Sequence, residues 1–270
     1  MQPYRPSRGQ PAAWSQRHLI AVLCATVTVA LVLIAGLAFA IWTALAEPSA
    51  PQPDGLPPVD DHLAIRDRIA ADPMPSTDPQ AAFTPDTAVL PAGEILVPVP
   101  AVEAGPAGVP SGFPHTAEGA VGQLAAIEKT VLEAMSLPIV REVHSQWVQP
   151  GGPALADWEL TRNVTAFLEA ARQPGQDKDP ATLVRVTPAA ALVKGADGPD
   201  WVVVCVLLDV QALIRAESRM GYGLCARMAW ADGRWQIAPG EPPAPAPQVW
   251  PGSTAAVESG WLDWVEEVGE

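Results

Sequence analysis

Residues 19–46 form an unbroken apolar run without one charged side chain. A bilayer core is crossed by about 20 apolar residues in helix, and this run is longer, so a helix there spans with some tilt. Arg5, Arg8 and Arg17 precede the run, whereas Glu47, Asp54, Asp60 and Asp61 follow it. Basic flanks stay on the cytoplasmic side. The pattern predicts a single-pass anchor over 19–46, a cytoplasmic tail over 1–18 and the remainder outside the cell membrane. A cleaved secretory signal is the competing reading, since Ala44, Leu45 and Ala46 offer small residues at the end of the run. A signal's apolar region is normally about 7–15 residues, which disfavours that alternative.

The chain carries 31 prolines and a net charge of −14 over 270 residues. Prolines are densest over 47–112, where aromatic residues are scarce and acids outnumber Arg66 and Arg68. Such a stretch has little apolar surface to offset its ordering entropy, so it reads as a disordered, extended, proline-rich spacer. Two pieces within it have local structure to offer: 60–71 as a short helix and 94–102 as a strand laid on a partner. The acidic balance argues against direct nucleic-acid binding, which needs a basic patch against phosphates.

From Phe113 the pattern is that of a folded domain, 113–240. Thr116 and Glu118 open a helix in which Ala120, Leu124, Ile127, Val131 and Met135 recur at three- and four-residue steps. Ser136 and Pro138 start a second helix over 138–148. Asp157 is placed to cap a third, with Leu160, Val164, Phe167 and Leu168 facing a core. Strands follow over 182–193, 201–212, 221–230 and 234–238. The second is nearly all apolar, as a strand buried on both faces must be. Asp232 and Gly233 supply the positive φ angles of a tight hairpin. Helices followed by an antiparallel sheet give an α+β class. A proline-rich acidic tail, 241–270, ends in a short amphipathic helix carrying Trp261, Leu262, Trp264 and Val265. Those four residues are the candidate interaction surface, packed on the domain or on a partner.

Chemistry-bearing residues are few. Cys205 and Cys225 each lie ten residues from Arg215 (215 − 205 and 225 − 215). A hairpin centred there sets them opposite one another, within disulfide reach, and an exterior compartment permits the bond. Cys24 lies in the anchor as a small apolar residue. Asp209 interrupts the apolar strand and needs a partner; Arg185, Arg215 and Arg227 are the sheet cations available. As an unpaired acid it would instead be a candidate general base. Glu142 and His144 lack a third ligand at metal-binding spacing, and there is no phosphate-cradling glycine loop or nucleophile elbow. Asn163, Val164 and Thr165 match a glycosylation acceptor, but inside a helix. No catalytic, cofactor or metal residues are assigned, and no cofactor is expected.

The segments Gly112 to Ala120, Tyr222 to Met228 and Asp232 to Gly240 resemble those of membrane proteins on actinobacterial mobile elements. The composition, rich in Ala, Pro, Gly, Val and Trp and poor in Lys, fits a GC-rich bacterial source. Three helices followed by a curved sheet with an Asp-Gly hairpin resemble the nuclear-transport-factor-2-like cone. Anchor, spacer and cone together resemble the bitopic VirB-type scaffold subunits of conjugative type IV secretion systems. The resemblance implies a non-enzymatic scaffold that associates with itself and with other secretion-channel subunits at the membrane. Two other readings stand beside it. One is an envelope binding or sensing module whose cavity, lined by Trp147, Trp158 and Trp201, holds a small apolar ligand. The other is a tethered isomerase or dehydratase with Asp209 as base.

Overall fold

The computed structural model describes residues 61–86 and 89–267, all within a compact unit spanning 58–270. The expected anchor, the cytoplasmic tail, Cys24 and the first part of the spacer lie outside the described residues. Among the described residues no helix is long and apolar enough to cross a membrane. The unit is α+β, a curled half-barrel sheet with helices against it.

Its elements are α1 (Asp61–Ala71), β1 (Glu94–Pro98), α2 (Ala117–Ala134), α3 (Leu137–Trp147), α4 (Glu159–Ala170), β2 (Leu183–Ala196), β3 (Trp201–Leu213), β4 (Glu217–Ala231), β5 (Arg234–Ile237), α5 (Thr254–Glu258) and β6 (Leu262–Glu267). Short 3-10 turns occur at Pro79–Ala82 and Pro106–Gly108. Thr116 caps α2 by accepting from the Gly119 N–H at 3.1 Å, and the Ser136 hydroxyl caps α3. The expected cap at Asp157 does not form. α4 begins after Trp158, which is extended and makes no side-chain cap, and Asp157 is exposed.

The sheet order is β1-β6-β2-β3-β4-β5. β2, β3, β4 and β5 form an antiparallel meander, and its last hairpin turns through Asp232 and Gly233, both at positive φ. The sheet is not wholly antiparallel, because β1 and β6 pair in parallel, from Glu94 opposite Asp263 to Pro98 opposite Glu267. β6 therefore converts the expected tail helix into an interior strand. Among the described residues there, only Thr254–Glu258 is helical, and Ser253 caps it through the Ala256 N–H at 3.2 Å.

β3 explains the rest of the architecture. Trp201 through Leu208 are all buried, so both faces of the strand need cover. Val202, Val204, Val206 and Leu208 join the helix-side core with Leu124, Ile127 and Val131 of α2. Cys205 and Leu207 point the other way and pack with Val249, Ala256 and Trp261, while Trp201 and Val203 pack with Ala70 and Ala238. The second cover is thus built from the proline-rich segments on either side of the domain.

The expectation of disorder over 47–112 fails for its described part. α1 lies on β2 where Gly195 has no side chain; a Cβ there would stand 2.8 Å from the Ile69 side chain. Asp67 meets Arg227 at 2.7 Å and Arg66 meets Asp197 at 2.7 Å. Lys194 donates to the Ala70 carbonyl at 2.8 Å. The strand expected within 94–102 forms as Glu94–Pro98, but on this chain's own β6 rather than on a partner. Its inward residues Ile95 and Val97 are buried. Trp147 and Trp235 pin the loop between β1 and α2 through indole N–H bonds to the Pro106 and Pro114 carbonyls, each 3.0 Å.

The tail crosses β4 at two glycines. A Cβ on Gly221 would stand 1.7 Å from the Val249 carbonyl oxygen, and one on Gly223 would stand 2.7 Å from that of Pro247. Beside them the Gln248 carboxamide accepts from the Gly223 N–H at 3.0 Å and donates to its carbonyl at 2.6 Å, as a neighbouring strand would.

Candidate functional site

Helix-side packing brings a polar cluster into the apolar interior. Tyr222 projects from β4 toward α4, where its hydroxyl donates to Glu159 at 2.9 Å and accepts from the Asn163 amide at 2.7 Å. Glu159 and Asn163 lie four positions apart on α4, which places them on one helix face. Glu128, from α2, is fully buried. Neither of its carboxyl oxygens has a hydrogen-bond partner among the described residues.

Burial raises the Glu128 carboxyl well above the ordinary carboxylate range, and the nearby Glu159 adds to the effect. Burial also raises Glu159, against the opposing influence of the Tyr222 hydrogen bond and of Arg162. Tyr222 is raised well above its usual value, first by burial and then by Glu159 and Glu128. Two acids so close in a low-dielectric interior disfavour each other's charged form. The cluster therefore holds its protons more tightly than isolated side chains do.

Two cavities border it. One of about 470 Å³ lies between α4 and the sheet; Leu132, Met135, Phe167, Val184, Val210 and Met220 wall it, with Asn163 and Tyr222 among its polar groups. A smaller one of about 70 Å³ meets Trp158, Glu159 and Arg162. Tyr222 and Asn163 thus border the larger space, and Glu159 the smaller.

The residues singled out by sequence lie elsewhere. Cys205 and Cys225 are directly opposed in the β3–β4 ladder and form a disulfide with Cα atoms 4.0 Å apart. The Met74 sulfur, from the proline-rich segment, packs against the pair at 3.8 and 3.6 Å. Asp209 does find an arginine, but not one of those expected. Arg219 takes its carboxylate through two bonds of 2.7 and 2.6 Å, because Arg219 pairs with Gln211, two positions along the ladder from Asp209 and Gly221 and so on the same face. Arg227 is bound instead to Asp67. Arg219 also lies over the Trp250 ring. The Asp209 carboxylate is committed to this pair and lies outside the cavity lining.

Trp147, Trp158 and Trp201 do not line one cavity. Trp147 and Trp158 are in the helix-side core, whereas Trp201 is buried on the opposite face. Of the candidate interaction surface, Trp261 is buried at 1 % exposure in the second core. Leu262 and Trp264 pack against the helix-side core, and Val265 is half-buried opposite Leu96 of β1. That stretch is a sheet interior rather than an exposed helix. His144 bonds the Pro153 carbonyl at 2.8 Å. Among the described residues no three metal-ligating side chains gather.

Sequence reasoning missed Glu128, Glu159, Asn163 and Tyr222. One signal was present: Glu128 sits four residues after Leu124 and three before Val131, an acid on the apolar stripe of α2. No protein-family model matches this chain, and neither a curated protein nor a solved structure matches it.

Proposed function

We propose that the chain is a non-enzymatic, membrane-anchored assembly subunit of a conjugative, type IV secretion-like DNA-transfer apparatus. In this reading 19–46 is the single-pass anchor, the N-terminus is cytoplasmic, and the α+β unit is an extracytoplasmic cone of the nuclear-transport-factor-2-like kind. The observation that supports an assembly role best is the β1 edge. Among the described residues β1 has a strand on one side only, and Leu96 on it is 58 % exposed, with Leu90 nearby in the chain at 91 % and Val99 at 49 %. An exposed apolar edge strand is a template for pairing with another chain. The partners are further copies of this chain and other secretion-channel subunits, and the transfer role rests on the sequence resemblance. The net charge of −14 supports a scaffold rather than a DNA-contacting component. The test is a clean deletion of the gene. Transfer between cells is lost while growth is unchanged, and complementation with Leu96→Asp restores it poorly. Undiminished transfer in the deletion strain contradicts the proposal.

A further inference from the structure

We infer that the cavity between α4 and the sheet is a binding site for a neutral apolar molecule bearing a hydroxyl group, with that hydroxyl against Asn163. The binding site does not depend on the assembly role; only the choice between its two ligand sources rests on the membrane anchor proposed above. The space, about 470 Å³, falls in the range of small-molecule sites, whereas packed interiors close voids much smaller than this. Its walls are mainly aliphatic, aromatic and thioether side chains carried by α2, α4, β2, β3 and β4 and the turns beside them. Ile214, at its hairpin end, is 42 % exposed, which leaves an apolar rim open to solvent.

Of the four polar side chains in the lining, Ser218 is exposed and the Gln248 carboxamide is spent on Gly223 and Ala246, which leaves Tyr222 and Asn163 to define the ligand's head. The Tyr222 hydroxyl proton is committed to Glu159, and its oxygen accepts one Asn163 amide proton. Among the described residues the Asn163 carboxamide makes no other hydrogen bond, so its carbonyl oxygen and second amide proton remain to be matched. A hydroxyl, which donates and accepts, matches both. A carboxylate does not: it would face the carboxamide oxygen with no proton to give, and the lining contains no lysine or arginine. The site therefore prefers an alcohol to an acid of the same chain length. Such an alcohol has two sources, a glycerolipid of the bilayer or a free small molecule of the envelope.

Methyl-labelled methionine separates this site from non-specific partitioning. Met135 and Met220 line the cavity, while Met74 lies against the disulfide on the opposite face. The full-length chain in lipid nanodiscs is titrated with decan-1-ol, with decanoate, and separately with diacylglycerol placed in the nanodisc bilayer. The expected result is saturable shifts of the Met135 and Met220 methyl signals, with Met74 unmoved, and decanoate at least tenfold weaker than decan-1-ol. Response to decan-1-ol alone assigns a free alcohol; response to diacylglycerol as well assigns the bilayer source. Ala166→Trp, at an exposed helix position on the cavity rim, abolishes the shifts without altering the melting temperature, and Asn163→Ala narrows the alcohol preference to under threefold. Absence of shifts in both the alcohol and diacylglycerol titrations, equal binding of decanoate, or unchanged binding in Ala166→Trp overturns the inference.

Discussion

Replacing Glu128 by methionine should stabilise this protein. The side chain is fully buried on α2, both carboxyl oxygens are unpaired among the described residues, and Glu159 stands close enough to oppose its ionisation. A buried polar group left without a partner costs about 1–3 kcal/mol. Methionine keeps the length of the side chain and removes that penalty. For a domain of this size, about 2–4 °C of melting temperature accompanies each kcal/mol, so the expected rise is roughly 2–12 °C. The pH dependence carries a second signature. Folding raises the Glu128 carboxyl above its unfolded value, so the folded state binds more protons than the unfolded one across that window. Stability from this group is full below the unfolded value of about 4.5 and is lost as pH rises through the folded one. Thermal unfolding of parent, Glu128→Met and Glu128→Gln from pH 4 to pH 9 reads both effects. Glu128→Gln should remove this group's pH slope without the full gain in stability, and the slope left by Glu159 should survive in both variants. A Glu128→Met protein less stable than the parent at every pH, or unchanged slopes in both variants, refutes the reasoning.

Other outcomes follow from the same packing. Removing the Cys205–Cys225 bond, which closes a separation of 20 residues, should lower stability by about 3 kcal/mol, measured by urea unfolding of the Cys205→Ser, Cys225→Ser double variant against the oxidised parent. Arg219→Ala leaves the Asp209 carboxylate, only 12 % exposed, without its partner. The expected loss lies between the surface and buried cases, about 1–3 kcal/mol by urea denaturation. Gly221→Ala drives a Cβ into the Val249 carbonyl, so the tail must lift from β4. Limited proteolysis should then cut between residues 241 and 252 faster than in the parent, at sites the parent protects.

Several of these features are readable from the sequence because their causes are local. A hairpin centred on Arg215 dictates the Cys205–Cys225 register, since an antiparallel ladder is symmetric about its turn. Thr116 and Ser136 declare their helices by cap chemistry. Asp157 has the same chemistry but lies one residue too early, and Trp158 takes the cap position with no hydroxyl or carboxylate to offer. The larger miss concerns the proline-rich flanks. Their composition reads as disorder because prolines remove backbone donors, yet an extended segment laid over a sheet face needs side-chain contacts more than a hydrogen-bond ladder. Ala70, Met74, Val249 and Trp261 supply those contacts. The demand for them is already written in β3, since Val203, Cys205 and Leu207 are as apolar as Val202, Val204 and Val206. The buried cluster stays hidden for another reason. Glu128, Glu159, Asn163 and Tyr222 come from three elements, and only the tertiary fold brings them together.

The measurement that tests the assembly account most directly is transfer frequency in a clean deletion strain. The strain is complemented either with the full chain or with residues 58–270 secreted without the preceding segment. A tethered scaffold predicts that the full chain restores transfer and that the secreted unit, present at equal abundance and with its disulfide formed, does not. Transfer unaffected by the deletion, or restored equally by the untethered unit, contradicts it.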